Sequence, residues 1–202
     1  TLYRHREGDT TSLPQNGILS LAEDASGNLW VGTKDYLCRF HPVRGTFTWY
    51  RLPTHYPLEN VRNIVDIGGD YLYLAVGYGA LRFDKRTGES KALFDQNDFP
   101  KELVYVVTDV FSDTSSRIWI TSSRGIFVHD PRSETLRHVV RRIINRAMPR
   151  KDGEGKIWFS DSTGIHVFDP YRERIVKTFP SASFPHNSGV SKYNYAFLLT
   201  QS

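Results

Sequence analysis

Apolar and polar residues alternate in short runs along this chain, and no window sustains the 3.6-residue spacing of an amphipathic helix. The runs "NLWVGT", "YLYLAV", "RIWITS" and "KIWFSD" are rich in β-branched and aromatic residues and bounded by Gly, Asp and Ser. That pattern predicts strands closed by tight turns. After a few polar residues come "LCRFHP", "ALRFDK", "IFVHDP" and "IHVFDP", then a further run, "FTWYRL", "SKALFD", "LRHVV" or "IVKTF". One more apolar stretch precedes each group, as in "ILSLAED" and "VYVVTDVF". Each group therefore predicts four short strands.

The groups are copies of one another. Trp30, Tyr73, Trp119 and Trp158 are separated by 43, 46 and 39 residues, a spacing that marks propeller blades or helical arrays. Ten residues after each anchor stands a ring, Phe40, Phe83, His129 or Phe168. Six after it is Gly79, Gly125 or Gly164, with Tyr36 as the exception. Six before it is Asp24, Asp113 or Asp152, while in the second copy Asp66 lies seven before Tyr73. Helical arrays would need Ala- and Leu-rich faces, which are missing. The predicted fold is all-β, a β-propeller with four-stranded antiparallel blades.

The boundaries follow from the same marks. Residues 13–53, 57–100, 101–139 and 140–180 are expected to form four blades. Residues 1–12 would be the last strand of a preceding blade and 181–202 the first strand of the next. Four blades are the lower limit for a closed ring, so a segment of a longer propeller is expected. Pro149 falls where a first-strand residue should stand, which suits only an edge-like strand.

The phrase Asp-x-x-Gly-x-[Leu/Ile]-Trp is predicted to join a blade's first and second strands. The Asp bonds backbone amides ahead of it, and the Gly accepts positive φ. The Trp on the middle strand fills space between blades, a burial worth about 25 cal/mol per Å². Asp24, Asp113 and Asp152 are thereby assigned to the turn rather than to catalysis or calcium.

The quoted residues add a family. "ILSLAEDASGNLWVGT" followed by "LCRFHP", with the lead-in "REGDTTSLPQNGILSL", resembles the two-component regulator propeller repeat. The resemblance covers nearly the whole chain, strongly at 13–53, well at 101–139 and loosely elsewhere. It implies the extracytoplasmic sensor portion of a bacterial hybrid two-component regulator. In such proteins the propellers precede an immunoglobulin-like module, one membrane span, and cytoplasmic kinase and regulator domains. Many are thought to sense oligosaccharides. The expected location is therefore periplasmic or extracytoplasmic, within a membrane-anchored parent, and any kinase activity would lie in parent domains.

Composition changes this picture little. The net charge of +4 and hydrophobic fraction of 39% fit a globular chain, and no apolar run approaches the ~18 residues of a membrane span. The lone Cys38 excludes an internal disulfide and is expected to pack inertly. Nucleophile elbows, zinc-protease motifs, phosphate-binding glycine loops and cysteine pairs are missing, and the seven histidines lack metal-ligand spacing. No catalytic residue, metal or cofactor is expected. A propeller lyase or hydrolase remains an alternative, since its residues would come from scattered blades. A protein-interaction scaffold is the other.

Candidate ligand residues come from the loops between strands two and three, which differ most between blades: Lys34, Asp35, Tyr36, Tyr78, Arg124 and Thr163. They combine aromatic faces with charged and hydroxyl groups, the chemistry that sugars need. A second candidate is the basic run from Thr135 to Lys151, free of acidic residues, with Arg142 and Arg146 as contacts for an anionic glycan. Expected partners are an oligosaccharide or other small ligand, with an anionic one allowed by that run. Parent-protein domains and a second copy in a homodimer complete the set, and no nucleic acid is expected.

Overall fold

A computed structural model describes residues 1–53, 60–77, 79–94, 106–141 and 149–181. The described residues form sixteen strands in four antiparallel four-stranded sheets, and strands adjacent in sequence are adjacent in each sheet. The first sheet holds β1 (Ile18–Glu23), β2 (Leu29–Thr33), β3 (Tyr36–His41) and β4 (Thr46–Arg51). The second holds β5 (Val61–Asp66), β6 (Tyr71–Val76), β7 (Gly79–Asp84) and β8 (Ser90–Phe94). The third comprises β9 (Val107–Ser112), β10 (Ile118–Ser122), β11 (Gly125–Asp130) and β12 (Thr135–Val140). The fourth comprises β13 (Arg150–Lys151), β14 (Ile157–Asp161), β15 (Gly164–Asp169) and β16 (Arg174–Pro180). These are four blades of a β-propeller segment, as the repeat implies. The fourth blade's first strand is described over two residues only, directly after Pro149.

Contacts divide the chain into two compact units, Thr1–Ser112 and Asp113–Ser202. In the first unit the middle strands carry the core. Trp30, Leu37 and Leu52 from the first blade meet Val61, Ile64, Leu72, Leu74, Leu81 and Phe83 from the second. The Trp30 ring stands edge-on to Phe83 at 5.5 Å, and Tyr50 meets the same ring at 5.0 Å. The ring ten residues past one anchor thus receives the indole of the blade before it. Gly32 permits this approach, because a Cβ there would lie 2.7 Å from the Val61 carbonyl oxygen. Polar contacts reinforce the junction. Lys85 Nζ lies 3.1 Å from Asp66 Oδ1 and 3.9 Å from Asp24 Oδ2, and Asp66 also accepts the Ala25 amide.

The second unit repeats the ring contact with different polar partners. Trp119 stands edge-on to Phe168, again at 5.5 Å. Glu173 accepts from Arg117 and, through both oxygens, from Arg137. It does so from a left-handed backbone position, φ 51°, at the place that Gly45 and Gly88 occupy in the first two blades.

Residues 1–12, expected to be a strand, hold a single parallel bridge between His5 and Leu13. Tyr3 nonetheless meets Phe40 edge-on at 4.8 Å, as Tyr50 meets Phe83. Residues 182–202, including the expected first strand of a next blade, lie outside the described residues.

Candidate functional site

The two ends of each second strand differ in chemistry. At the entry end sits the acidic turn. Asp24 Oδ1 accepts the amides of Ser26 and Asn28, each at 2.9 Å, while Oδ2 accepts Trp30 Nε1 at 2.9 Å. Asp113 does the same for Ser115, Arg117 and Trp119, and Asp152 for Glu154, Lys156 and Trp158. Positive φ falls on Gly27 and Gly155, and in the third blade on Ser116 at 61°. Burial alone would raise the Asp24 pKa. The bonds from Trp30, Asn28 and Ser26 outweigh it and hold the carboxyl at about 2. All three carboxylates are committed to the turn, as expected. The indole bond was not expected, although its signal, an Asp six residues before each Trp, lies in the sequence.

At the exit end the residues three after each anchor are Thr33, Val76, Ser122 and Asp161, and the first, third and fourth hairpins differ in their hydrogen bonds. In the first blade the Thr33 hydroxyl donates to the Tyr36 carbonyl, and Asp35 takes the left-handed position, φ 68°. This explains why Tyr36 can replace glycine. In the third and fourth blades the outer strand passes close by. A Cβ on Gly125 would lie 1.7 Å from the Val140 oxygen, and one on Gly164 2.1 Å from that of Phe179. Lys34 is exposed, and its carbonyl accepts the Gln15 side-chain amide. Tyr36 begins β3 and packs edge-on to Trp49 at 5.8 Å, leaving its ring partly buried.

In the second unit Arg124 is held at its backbone. Its amide bonds Ser122 Oγ and its carbonyl lies 3.2 Å from His138 Nε2. The His138 ring stacks on Phe127 at 4.0 Å, and desolvation there lowers its pKa. Thr163 is exposed, but its hydroxyl and amide both bond Asp161 Oδ1, at 2.5 and 2.7 Å. That same oxygen lies 2.9 Å from His166 Nε2, and His166 Nδ1 lies 3.0 Å from the exposed Thr178 hydroxyl. A proton on Nε2 satisfies Asp161 and leaves Nδ1 to accept from Thr178. This buried Asp–His pair was missed. Its signal was a histidine eight residues after the anchor, where the other blades carry Cys38, Leu81 and Phe127.

The remaining candidates fare unevenly. Lys34, Asp35 and Tyr36 share one hairpin of the first unit; Arg124 and Thr163 lie on separate hairpins of the second. Tyr78, Arg142 and Arg146 lie outside the described residues. Within the basic run, Arg137 is engaged by Glu173 from the turn that precedes β16, a partner that the local absence of acids concealed. Cys38 is fully buried and desolvation pushes its thiol up to about 12. No cluster of three or more His, Cys, Asp or Glu suited to a metal ion occurs among the described residues.

Residues 12–35 match the family described as two component regulator propeller. No curated protein matches the chain. Among solved structures, it resembles the extracellular domain of a protein assigned as the hybrid two component system BT3049 of Bacteroides thetaiotaomicron. The TM-score is 0.66 at 19% identity, covering 96% of this chain and 25% of that one. The corresponding domain of BT4673, from the same organism, gives 0.61 at 21% identity over 78% of this chain and 22% of that one. A protein assigned as a gluconolactonase gives 0.54 at 13% identity over 81% and 63%. The chain therefore spans about a quarter of the two Bacteroides structures. The acidic turn of the first blade lies inside the matched residues, and the same turn recurs in the third and fourth. The chain is a β-propeller segment that carries a repeat of the two component regulator propeller family.

Proposed function

We propose that this chain is part of the extracytoplasmic, ligand-sensing propeller of a membrane-anchored two-component regulator, and that its ligand is an oligosaccharide. The observation that carries the proposal is the family match at residues 12–35, which coincides with the first blade's acidic turn and second strand. The extracellular domains that the chain resembles in fold support the location. Recognition falls to the second-to-third-strand hairpins, where Lys34, Asp35 and Tyr36, and separately Arg124 and Thr163, offer charge, hydroxyls and an aromatic edge. Sensing needs different affinity in two receptor states, so a hairpin that binds must tolerate small rearrangements.

The chain itself performs no chemistry in this proposal; signalling belongs to further domains. The gluconolactonase-like fold keeps a hydrolytic reading open in principle, yet at 13% identity it speaks only for the fold. The test is calorimetric titration of the polypeptide, as its gene encodes it, against neutral and acidic oligosaccharides at low and high salt. Saturable binding of a sugar that is returned unchanged supports the sensor. Turnover of the sugar, or no binding across the panel, refutes it.

A further inference from the structure

Three cations stand unpaired at the exit end of the first unit. Lys34 lies in the first blade's second-to-third-strand hairpin, Arg51 closes β4 and Arg62 lies in β5, and all three are exposed. Backbone contacts set their main chains side by side. Arg51 pairs across the sheet with Tyr36, and the Leu52 amide donates to the Asp35 carbonyl at 3.3 Å. On the other side Lys34 forms an antiparallel bridge with Asn60, two residues before Arg62. Among the described residues none of the three joins an ion pair or a side-chain hydrogen bond. Cations elsewhere are neutralised: Lys85 by Asp66, and Arg117 and Arg137 by Glu173. Asp35 is the carboxylate on the hairpin itself, whereas Asp109 on β9 accepts the Asn63 side-chain amide and the Val110 amide.

Arg62 is also placed by a backbone device. In β5 Val61 pairs with Val76 and Asn63 with Ala75, so Arg62 is the extra residue of a β-bulge. A bulge re-aims one side chain out of the strand's alternation, while the flanking Val61 and Ile64 stay buried and hold the strand. β1 carries the same bulge at Leu19, where the exposed residue is apolar. The bulge thus belongs to the scaffold, and the arginine to this blade alone.

We infer that Arg62, Arg51 and Lys34 form an anion-reading site, and that the oligosaccharide of the proposed sensor is an acidic one, bearing carboxylate or sulfate groups. The inference rests on the sensor reading given above. The planar forks of the two arginines match carboxylate or sulfate oxygens two at a time, and Lys34 adds a point charge. Like charges gathered by the fold repel one another, and an anionic ligand relieves that repulsion as it binds. Asp35 supplies an acceptor for sugar hydroxyls, which a bare polyanion lacks.

The experiment titrates the polypeptide, as its gene encodes it, with tetrasaccharides of three kinds: a galacturonate oligomer, a heparin fragment and a neutral glucose oligomer. At least one acidic sugar should bind about tenfold more tightly than the neutral one, an advantage that shrinks at high salt. Arg62→Gln should weaken acidic binding about tenfold at an unchanged melting temperature, and Arg62→Lys should recover only part of the loss, because lysine lacks the fork. Should Arg62→Gln fail to fold, Arg51→Gln carries the same comparison. Arg44, exposed on the third-to-fourth-strand hairpin at the entry end, is the control, and Arg44→Gln should change affinity by less than about twofold. Binding of the carboxylated or of the sulfated sugar alone supports the inference and assigns the anion. Neutral sugar bound as tightly as the acidic ones, with no response to Arg62→Gln, overturns the inference and leaves the sensor reading standing. No sugar bound overturns both. Equal losses for Arg44→Gln and Arg62→Gln would reveal diffuse charge rather than a site, and overturn the inference as well.

Discussion

The entry and exit ends of the second strands have diverged to different degrees. At the entry end Asp24, Asp113 and Asp152 make the same three bonds, to two amides and one indole, in three blades. At the exit end the first blade uses a left-handed Asp35, the third a Ser122–Arg124–His138 arrangement, and the fourth a buried Asp161–His166 pair. A turn that sets the register of two strands and pins an indole into the junction cannot vary without cost to the fold. A hairpin between the second and third strands can, provided that each new polar group finds a partner. The repeated end is where the fold is specified, and the varied end is where recognition can be written.

The largest effect should come from breaking what the repeated end holds in place. Trp119→Ala removes a fully buried ring from against Phe168 and should cost about 3–5 kcal/mol in chemical denaturation. Trp30→Ala should behave alike, whereas Trp158→Ala should cost less, because that ring is only partly buried.

Acid should separate the two ends next. The Asp24 carboxyl sits at about 2 in the folded chain against an ordinary 3.8, so the folded state resists protonation. Its contribution is complete above about pH 4 and is lost as pH falls towards 2, amounting to about 2 kcal/mol. Asp24→Asn should flatten this part of the pH–stability curve; an unchanged curve would show that the turn carboxylate is not held as described.

At the varied end, blades should be interchangeable where partners are kept. His166→Phe imitates Phe127 of the third blade but takes from Asp161 its imidazole donor, and should cost about 1–3 kcal/mol. Adding Asp161→Ser, the third blade's residue, should recover most of the loss. A double variant no better than the single one would mean that the pair is not the unit of construction.

The fold was readable because it is periodic. Strand positions, turn carboxylates and the ring ten residues past each anchor follow from offsets along the chain. The glycine exception at Tyr36 was visible, but its remedy was not, since moving positive φ to Asp35 depends on backbone geometry. What stayed hidden requires partners distant in sequence. Arg137 meets Glu173 thirty-six residues away, and Lys85, paired with Asp66 of its own blade, also approaches Asp24 across the blade junction. Charge along 135–151 alone therefore does not disclose that Arg137 is paired. For the candidate ligand residues the sequence supplied the loops, whereas the commitment of Thr163 to Asp161 and of Tyr36 to Trp49 emerged only in three dimensions.

The smallest stability effects are expected where recognition is proposed. Lys34→Ala should change stability by no more than about 0.5 kcal/mol, because it alters an exposed side chain and leaves the backbone bonds intact.

The most direct test of the division between ends measures affinity and stability together on one set of variants. Lys34→Ala, Asp35→Gly, Arg124→Ala and Thr163→Val form one group; Asp24→Asn, Asp113→Asn and Asp152→Asn form the other. With an oligosaccharide that the polypeptide binds, at least one variant in the first group should lose affinity tenfold or more at an unchanged melting temperature. The second group should lower the melting temperature while the molecules that remain folded bind normally. Hairpin variants that all bind as the parent does, or turn variants that abolish binding without loss of stability, would contradict the account.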